Sequence, residues 1–252
     1  MTIAGYRIPP LASLILWAIV WEIVGRLGLV FLFPPLSHVV MELGQVVGST
    51  TFLNAAIMTV KCFVIGIALS IAVGVLLGLL MGRVDAADKL LGMWVNLFVS
   101  APLSALVPVI MILFGMGEST IIVTVFLFAV WIIALDTRAG VRDMPPSLLA
   151  MAKSFGASRW QVLTKIVFFA ALPEILAGIR LGVIRGVKGV VIGQLLVSII
   201  GLGELFEVYS RNFLMEEFWA LTLIVFAFAL GAAELIAMLE RKIDFYAGVR
   251  HA

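Results

Sequence analysis

Two cations stand inside an apolar run. In LGVIRGVKGVVIGQLLV, Arg185 and Lys188 interrupt a hydrophobic stretch of about 174–200. A cation at mid-membrane depth costs roughly 2.5–3.5 kcal/mol on insertion scales, so each calls for a compensating group. Being three residues apart, they share a helix face. Three readings account for them: positive potential offered to an anionic solute such as a carboxylate or sulfonate, internal pairing with Asp136, Glu22 or Glu234 in other apolar stretches, or snorkelling of the long side chains. Asp136 reads as a counter-ion for Arg180, Arg185 or Lys188, because a proton relay lacks a chain of titratable groups. Glycines 182, 186, 189 and 193 recur at spacings of four, three and four, which permits close helix–helix approach.

A second constellation is polar. KSFGASRWQ, Lys153 to Gln161, carries two cations, hydroxyl and amide side chains and a central glycine in an otherwise greasy chain. Pro145 and Pro146 suit a helix's first turn, and Gly156 suits the left-handed residue after a helix end. Ser158 with Gln161 fits a capping box that opens a second helix at Arg159 and carries it to about Phe169, and Pro173 punctuates entry to the next apolar run. The pattern predicts helix, tight glycine turn, helix. Leu148, Leu149, Met151, Ala152 and Phe155 give the first helix an apolar side. Such a segment lies on lipid headgroups or serves as a docking knob for a cytoplasmic partner.

Other chemistry is poorly represented. The histidines are His38 and His251, both outside the apolar stretches, and no H-E-x-x-H or membrane-depth Ser–His pair occurs. No G-x-x-x-x-G-K-[ST] phosphate loop is present, so the chain is not read as an ATPase or other enzyme. Cys62 is the lone cysteine, read as packing. No basic stripe interleaved with aromatics suggests nucleic acid.

The elements that position these residues follow from composition. Of 252 residues, 63% are hydrophobic and 13% charged, with a mean hydropathy of +1.20. Soluble domains run nearer a quarter charged, so the class is a membrane protein. A spanning helix needs about 20 apolar residues. Six stretches qualify, roughly 11–33, 54–82, 90–114, 119–137, 174–200 and 218–239. The alternation of a β-barrel is missing. The first stretch is too long for a signal-peptide core and is expected to remain as a helix. FPPLSHVV starts a turn followed by an amphipathic run to about Gly48. Pro102 and Pro108 fall inside the third stretch, either as a packing kink or as a bend in a pathway-lining helix. Lys61 is placed to snorkel outward.

Cation bias orients the chain. With the N-terminus inside, the inner segments hold Arg7, Arg83, Lys89, Arg138, Arg142, Lys153, Arg159, Lys165, Arg241, Lys242 and Arg250, and the outer segments hold Arg211. Both termini are therefore expected in the cytoplasm, and residues 1–252 are read as one membrane domain with a cytoplasmic loop at about 138–173.

The polar loop resembles the EAA loop of binding-protein-dependent ABC importer permeases of the nitrate, sulfonate and taurine type. In AMAKSFGASRWQVLTKIVFFAALPEI, Gly156, Ala157, Ser158, Arg159, Trp160, Gln161 and the Ala170–Pro173 run match the family pattern, as does Ala152. Ala150 stands where the family has its glutamate, Met151 where it has the first alanine, and Phe169 replaces a proline. MGR at 81–83, LFGMGE at 113–118, TRAGVR at 137–142 and GLG at 201–203 extend the resemblance from about Phe33 to Tyr246.

The resemblance implies a six-helix, all-α permease of the type I importer kind in the bacterial inner membrane. It implies docking of coupling helices on a cytoplasmic ATPase through Ala152, Lys153, Ser154, Phe155, Gly156, Ala157, Ser158, Arg159 and Trp160. It further implies two copies of the chain, two ATPase subunits that bind ATP and Mg, and an extracytoplasmic solute-binding protein; no cofactor is expected in the chain itself. In the family the fifth span borders the substrate path and subunit interface, often with a tryptophan near 187 and a glutamate at 194. Here Val187 and Gln194 lie seven apart on one face, away from the two cations. The translocation candidates are Pro102, Asp136, Arg185, Lys188 and Gln194. The alternative, an ATPase-independent secondary transporter or channel, predicts inverted repeats or broken helices bearing coupling-ion groups, which the sequence does not display.

Overall fold

The structure, a computed structural model, describes residues 2–3, 6–7, 10–28, 32–197 and 199–247, with side chains placed for 12–28, 32–197 and 199–238. The orientation expectation rests in part on the two chain ends, and Met1, Arg250 and His251 lie outside the described residues, as do the side chains of Arg7, Arg241 and Lys242.

The described chain is helical apart from one short antiparallel pairing of β1 (Thr2–Ile3) with β2 (Tyr6–Arg7). The helices in order are α1 (Pro10–Arg26), α2 (Leu36–Gly48), α3 (Thr50–Arg83), α4 (Asp85–Ser100), a short 3-10 turn (Leu103–Leu106), α5 (Val107–Phe114), α6 (Glu118–Arg142) and α7 (Pro146–Ser154). They continue as α8 (Arg159–Gln161), a π-turn (Val162–Val167), α9 (Phe168–Ala170), α10 (Leu172–Val197), α11 (Leu202–Arg211) and α12 (Met215–Ala247).

The six expected spans are not all realised as single rods. Among the described residues three helices are individually long and apolar enough to cross a membrane: α3, α6 and residues Met215–Met238 of α12. Two bent pairs raise the number to five. α4 and the segment Leu103–Phe114 meet at 96°, and Arg159–Ala170 meets α10 at 63°. The first stretch yields α1, whose 17 residues fall short of the about 20 needed. The bend in the third stretch sits at Pro102, whose ring lacks an N–H to continue the ladder of α4. Ala101 ends α4 in extended conformation, and Pro102 holds φ −73° and ψ 80° before the 3-10 turn begins.

Small residues draw the central helices together. On α3, Gly66, Gly74, Gly78 and Gly82 face Val125, Ile133, Thr137 and Val141 of α6 at a constant offset of 59 residues. That constancy means α3 and α6 run parallel, so the bent α4–α5 segment must carry the chain back between them. α10 runs the other way along α6: Gly178 lies against Asp136, Gly182 against Ile133 and Gly193 against Thr124. In lipid, burying a leucine gains little over leaving it among acyl chains, so close backbone approach and dispersion hold such helices together. Accordingly Cys62, Ile121, Val125, Ile133 and Val190 form a tight core, while Leu14, Trp17, Leu76 and Ile112 are exposed.

Candidate functional site

The glycine turn at one end of the bundle is built by two local motifs. Gly156 adopts φ 69°, a region open to glycine at little steric cost. Its N–H donates to the Lys153 carbonyl at 2.9 Å, and the Ala157 N–H donates to the Ala152 carbonyl at 3.0 Å. These are the two bonds of a Schellman stop, with Ala152 and Ala157 as its apolar contact. Ser158 then caps the next helix. Its Oγ accepts from the Gln161 N–H at 3.3 Å, and Gln161 Oε1 accepts from the Ser158 N–H at 2.8 Å. The helix–turn–helix expected from the sequence is thus present.

The turn presents two large side chains outward. Phe155 is 84% exposed and Trp160 71% exposed, on either side of Gly156. Lys153 and Arg159 flank them, also exposed, as are Ser154 and Ser158. Ala152 alone of the segment is buried, at 4%. It belongs to a cluster with Val141 of α6, Met144 just beyond it, Val162 and Val167 of the π-turn, and Ile175 of α10. The knob is therefore apolar and cationic at its tip and anchored at its base to three elements.

The same end carries an ion cluster. Arg138 pairs with Asp88, its Nη2 donating to Asp88 Oδ2 at 2.8 Å. Arg142 Nη2 lies 2.9 Å from Asp88 Oδ2 and 3.2 Å from Asp85 Oδ1. These contacts tie the start of α4 to the end of α6. The sequence singled out TRAGVR only by resemblance; the spacing of four between Arg138 and Arg142, opposite Asp85 and Asp88, was the available signal.

Of the intramembrane residues, Arg185 and Asp136 come within electrostatic reach of one another. Arg185 is half-buried and Lys188 exposed on α10, and neither forms an ion pair among the described residues. Asp136, half-buried on α6, forms none either, and its Oδ2 has no hydrogen-bond partner. Its side chain packs against Gly178. The other carboxylates considered as partners lie elsewhere. Glu22 binds Arg26 at 2.5 Å and Ser37 at 2.9 Å, and Glu234 is exposed with no ion pair among the described residues. Among the described residues no carboxylate forms a salt bridge with either cation, while Asp136 lies within electrostatic reach of Arg185. Lys61 reaches Glu118 at 2.7 Å instead of standing alone. Pro102 is exposed at the 96° break.

Gln194 is 2% exposed and sits in an internal lock. Its Nε2 donates to Thr59 Oγ1 at 2.8 Å, and that hydroxyl donates to the Ala55 carbonyl at 2.8 Å and accepts from the Leu202 N–H at 3.2 Å. Gly201 and Gly203 close over it; a methyl on Gly203 would lie 2.5 Å from the Gln194 carbonyl carbon. Thr59 was not anticipated, since nothing in its local sequence marks it. At the same end Trp21 stacks on Phe33 and Trp219 meets both rings edge-on, each pair at a centroid distance of 5.2 Å. Their indoles donate to the Pro34 and Leu32 carbonyls, fastening α1 to α12.

The sequence model of the family described as "Binding-protein-dependent transport system inner membrane component" matches residues 70–245, which include the knob, both bent pairs and α10. The chain belongs to this family. The permease is 29% identical over 227 residues to the taurine transport system permease protein TauC of Escherichia coli K12, covering 86% of this chain and 82% of TauC. It is 26% identical over 247 residues to the bicarbonate transport system permease protein CmpB of Synechococcus elongatus, covering 93% and 88%. Among solved structures it superposes on the inward-facing MetNI methionine ABC transporter with a TM-score of 0.64, 18% identity, and 74% and 93% of the two chains covered. An amino acid ABC transporter gives a TM-score of 0.62 at 17% identity, covering 76% and 94%. The fold is that of type I ABC importer permeases, and the protein is a multi-pass membrane component of a binding-protein-dependent system.

Proposed function

We propose that this permease is the membrane subunit of an ATP-driven importer for a small anionic solute of the sulfonate, nitrate or carboxylate class. Two copies form the path in the bacterial inner membrane with both chain termini cytoplasmic, two cytoplasmic ATPase subunits bind ATP and Mg, and an extracytoplasmic binding protein delivers the solute. The observation that carries the reading is the Phe155–Gly156–Trp160 knob. Its two exposed aromatics make an apolar tip, of the kind that marks a protein contact. Its base is packed against α6 and α10, the helices that line up along one another through Gly178 and Gly182. Closure of the ATPase pair would push on the tip, and the anchored base would pass that displacement to the spans as a rigid body. Alternating access then amounts to biasing two packings of the bundle.

Anion selectivity is supported by Arg185 and Lys188, which form no ion pair among the described residues, and by relatives named for taurine and bicarbonate transport. Unpaired cations at membrane depth are expensive unless they face a water-filled path or a partner. The test is uptake by the reconstituted transporter of R185Q with K188Q. The proposal predicts a drop of at least tenfold in uptake of the anionic substrate with normal assembly; unchanged uptake by a well-assembled double variant would remove these residues from the path.

A further inference from the structure

A cavity of about 710 Å³ lies between the end of α3 and the knob. Its walls are apolar, with Leu76, Leu79 and Leu80 of α3 facing Leu149 of α7 and Leu163 of the π-turn. Its mouth carries three cations from three separate elements: Arg83 at the end of α3, Lys153 on α7 and Arg159 at the start of α8. None of them forms an ion pair among the described residues. Leu76 and Leu79 also line a second groove of about 380 Å³, which continues along Ile71 and Val75 of α3 opposite Phe168 and Leu176. The two together make one apolar channel with a cationic mouth. From Arg83 to Ile71 the helix rises about 18 Å at 1.5 Å per residue. That is close to half of the roughly 30 Å hydrocarbon core, the depth that one leaflet's acyl chains fill.

We propose that this channel binds an anionic phospholipid, with its phosphate among Arg83, Lys153 and Arg159 and one acyl chain along Leu76, Leu79 and Val75. The charge and shape complement each other: three uncompensated cations need a negative headgroup, and an apolar furrow of leaflet depth needs a hydrocarbon chain. A soluble anion satisfies only the mouth. A zwitterionic lipid fills the furrow but brings a cationic group toward the guanidinium groups. Basic pockets at a membrane surface select anionic headgroups in this way. Because the three cations come from α3, α7 and α8, a bound headgroup ties the knob to the span beside it, making the knob's stiffness depend on membrane composition. The site touches the first turns of α10 and shares Lys153 and Arg159 with the knob, but none of its lining residues is Pro102, Asp136, Arg185, Lys188 or Gln194.

The test uses the full-length permease in detergent, equilibrated with equimolar phosphatidylglycerol and phosphatidylcholine of matched acyl chains and read by native mass spectrometry. Each surface cation favours an anionic lipid by roughly fivefold. The parent should therefore retain phosphatidylglycerol over phosphatidylcholine by at least tenfold. R83Q with K153Q and R159Q should bring the ratio near one, and R83K with R159K should keep most of it. A phosphatidylglycerol bearing a photoreactive group on its acyl chain should label peptides within 71–83 and 162–179. Equal retention of the two lipids by the parent, an unchanged ratio in the glutamine variant, or labelling confined to other surfaces would overturn the proposal. So would displacement of the lipid by millimolar inorganic phosphate, which would reduce the site to the mouth alone. Disulfide formation between two copies of a Leu76→Cys variant, with lipid excluded, would assign the furrow to a second copy and equally overturn it.

Discussion

Thr59 does more than its sequence suggests. A lone threonine in an apolar run ordinarily bonds back to its own helix, and it does so here through the Ala55 carbonyl. Yet its oxygen also accepts from Gln194 and from the Leu202 N–H, so one hydroxyl joins α3, α10 and the start of α11. Thr59→Val keeps the volume but strands two buried donors, which costs roughly 1–3 kcal/mol. Thermal unfolding of the purified variant should show that loss, while Ser at position 59 should recover most of it. Gln194 was legible as a departure from the family's glutamate, but its partner was not, because 135 residues separate the two. That Arg185 comes within electrostatic reach of Asp136 while Lys188 forms no salt bridge among the described residues was likewise beyond sequence, which can place charges at membrane depth but not measure which helices bring carboxylates to them.

At the scale of elements, short-range signals were the readable ones. The glycine stop and the serine cap are decided within six or seven residues, and both motifs formed where Gly156 and Ser158 placed them. Pro102 announced a break, but its 96° angle is set by what α4 and α5 pack against, which no local pattern encodes. The α3 glycines were readable and missed: Gly74, Gly78 and Gly82 repeat every four residues and seat α6. Gly78→Val would push a branched side chain into Thr137. Overpacking of this kind costs about 1–3 kcal/mol, so a melting temperature lowered by several degrees in the same detergent is the expected result. The ion cluster makes an independent prediction. Asp88 is the carboxylate shared by Arg138 and Arg142, with its side chain only 12% exposed. A double-mutant cycle of D88N with R138Q should give a coupling of about 1–3 kcal/mol, in the range of charge-assisted hydrogen bonds.

For the molecule as a whole, the parallel packing of α3 on α6 and the antiparallel run of α10 create one rigid block, with the knob fixed to one end and the Gln194 lock to the other. A force on the knob is then felt along α6 and α10 rather than lost in a loop. Substituting Phe155 and Trp160 by alanine removes exposed apolar area that the fold does not use. Stability should change by less than about 0.5 kcal/mol, while affinity for the ATPase subunit falls by at least thirtyfold, since buried aromatic anchors at interfaces carry 2 kcal/mol or more. The most direct measurement is co-purification of the tagged permease from its native host, with G156P beside it. Proline fixes φ near −65° where the turn holds 69°, and removes the N–H that bonds Lys153. An ATPase subunit present with the parent and lost from a folded G156P variant is the predicted result. A folded parent that brings no ATPase, or a G156P variant that retains it fully, would contradict the knob as the site of coupling.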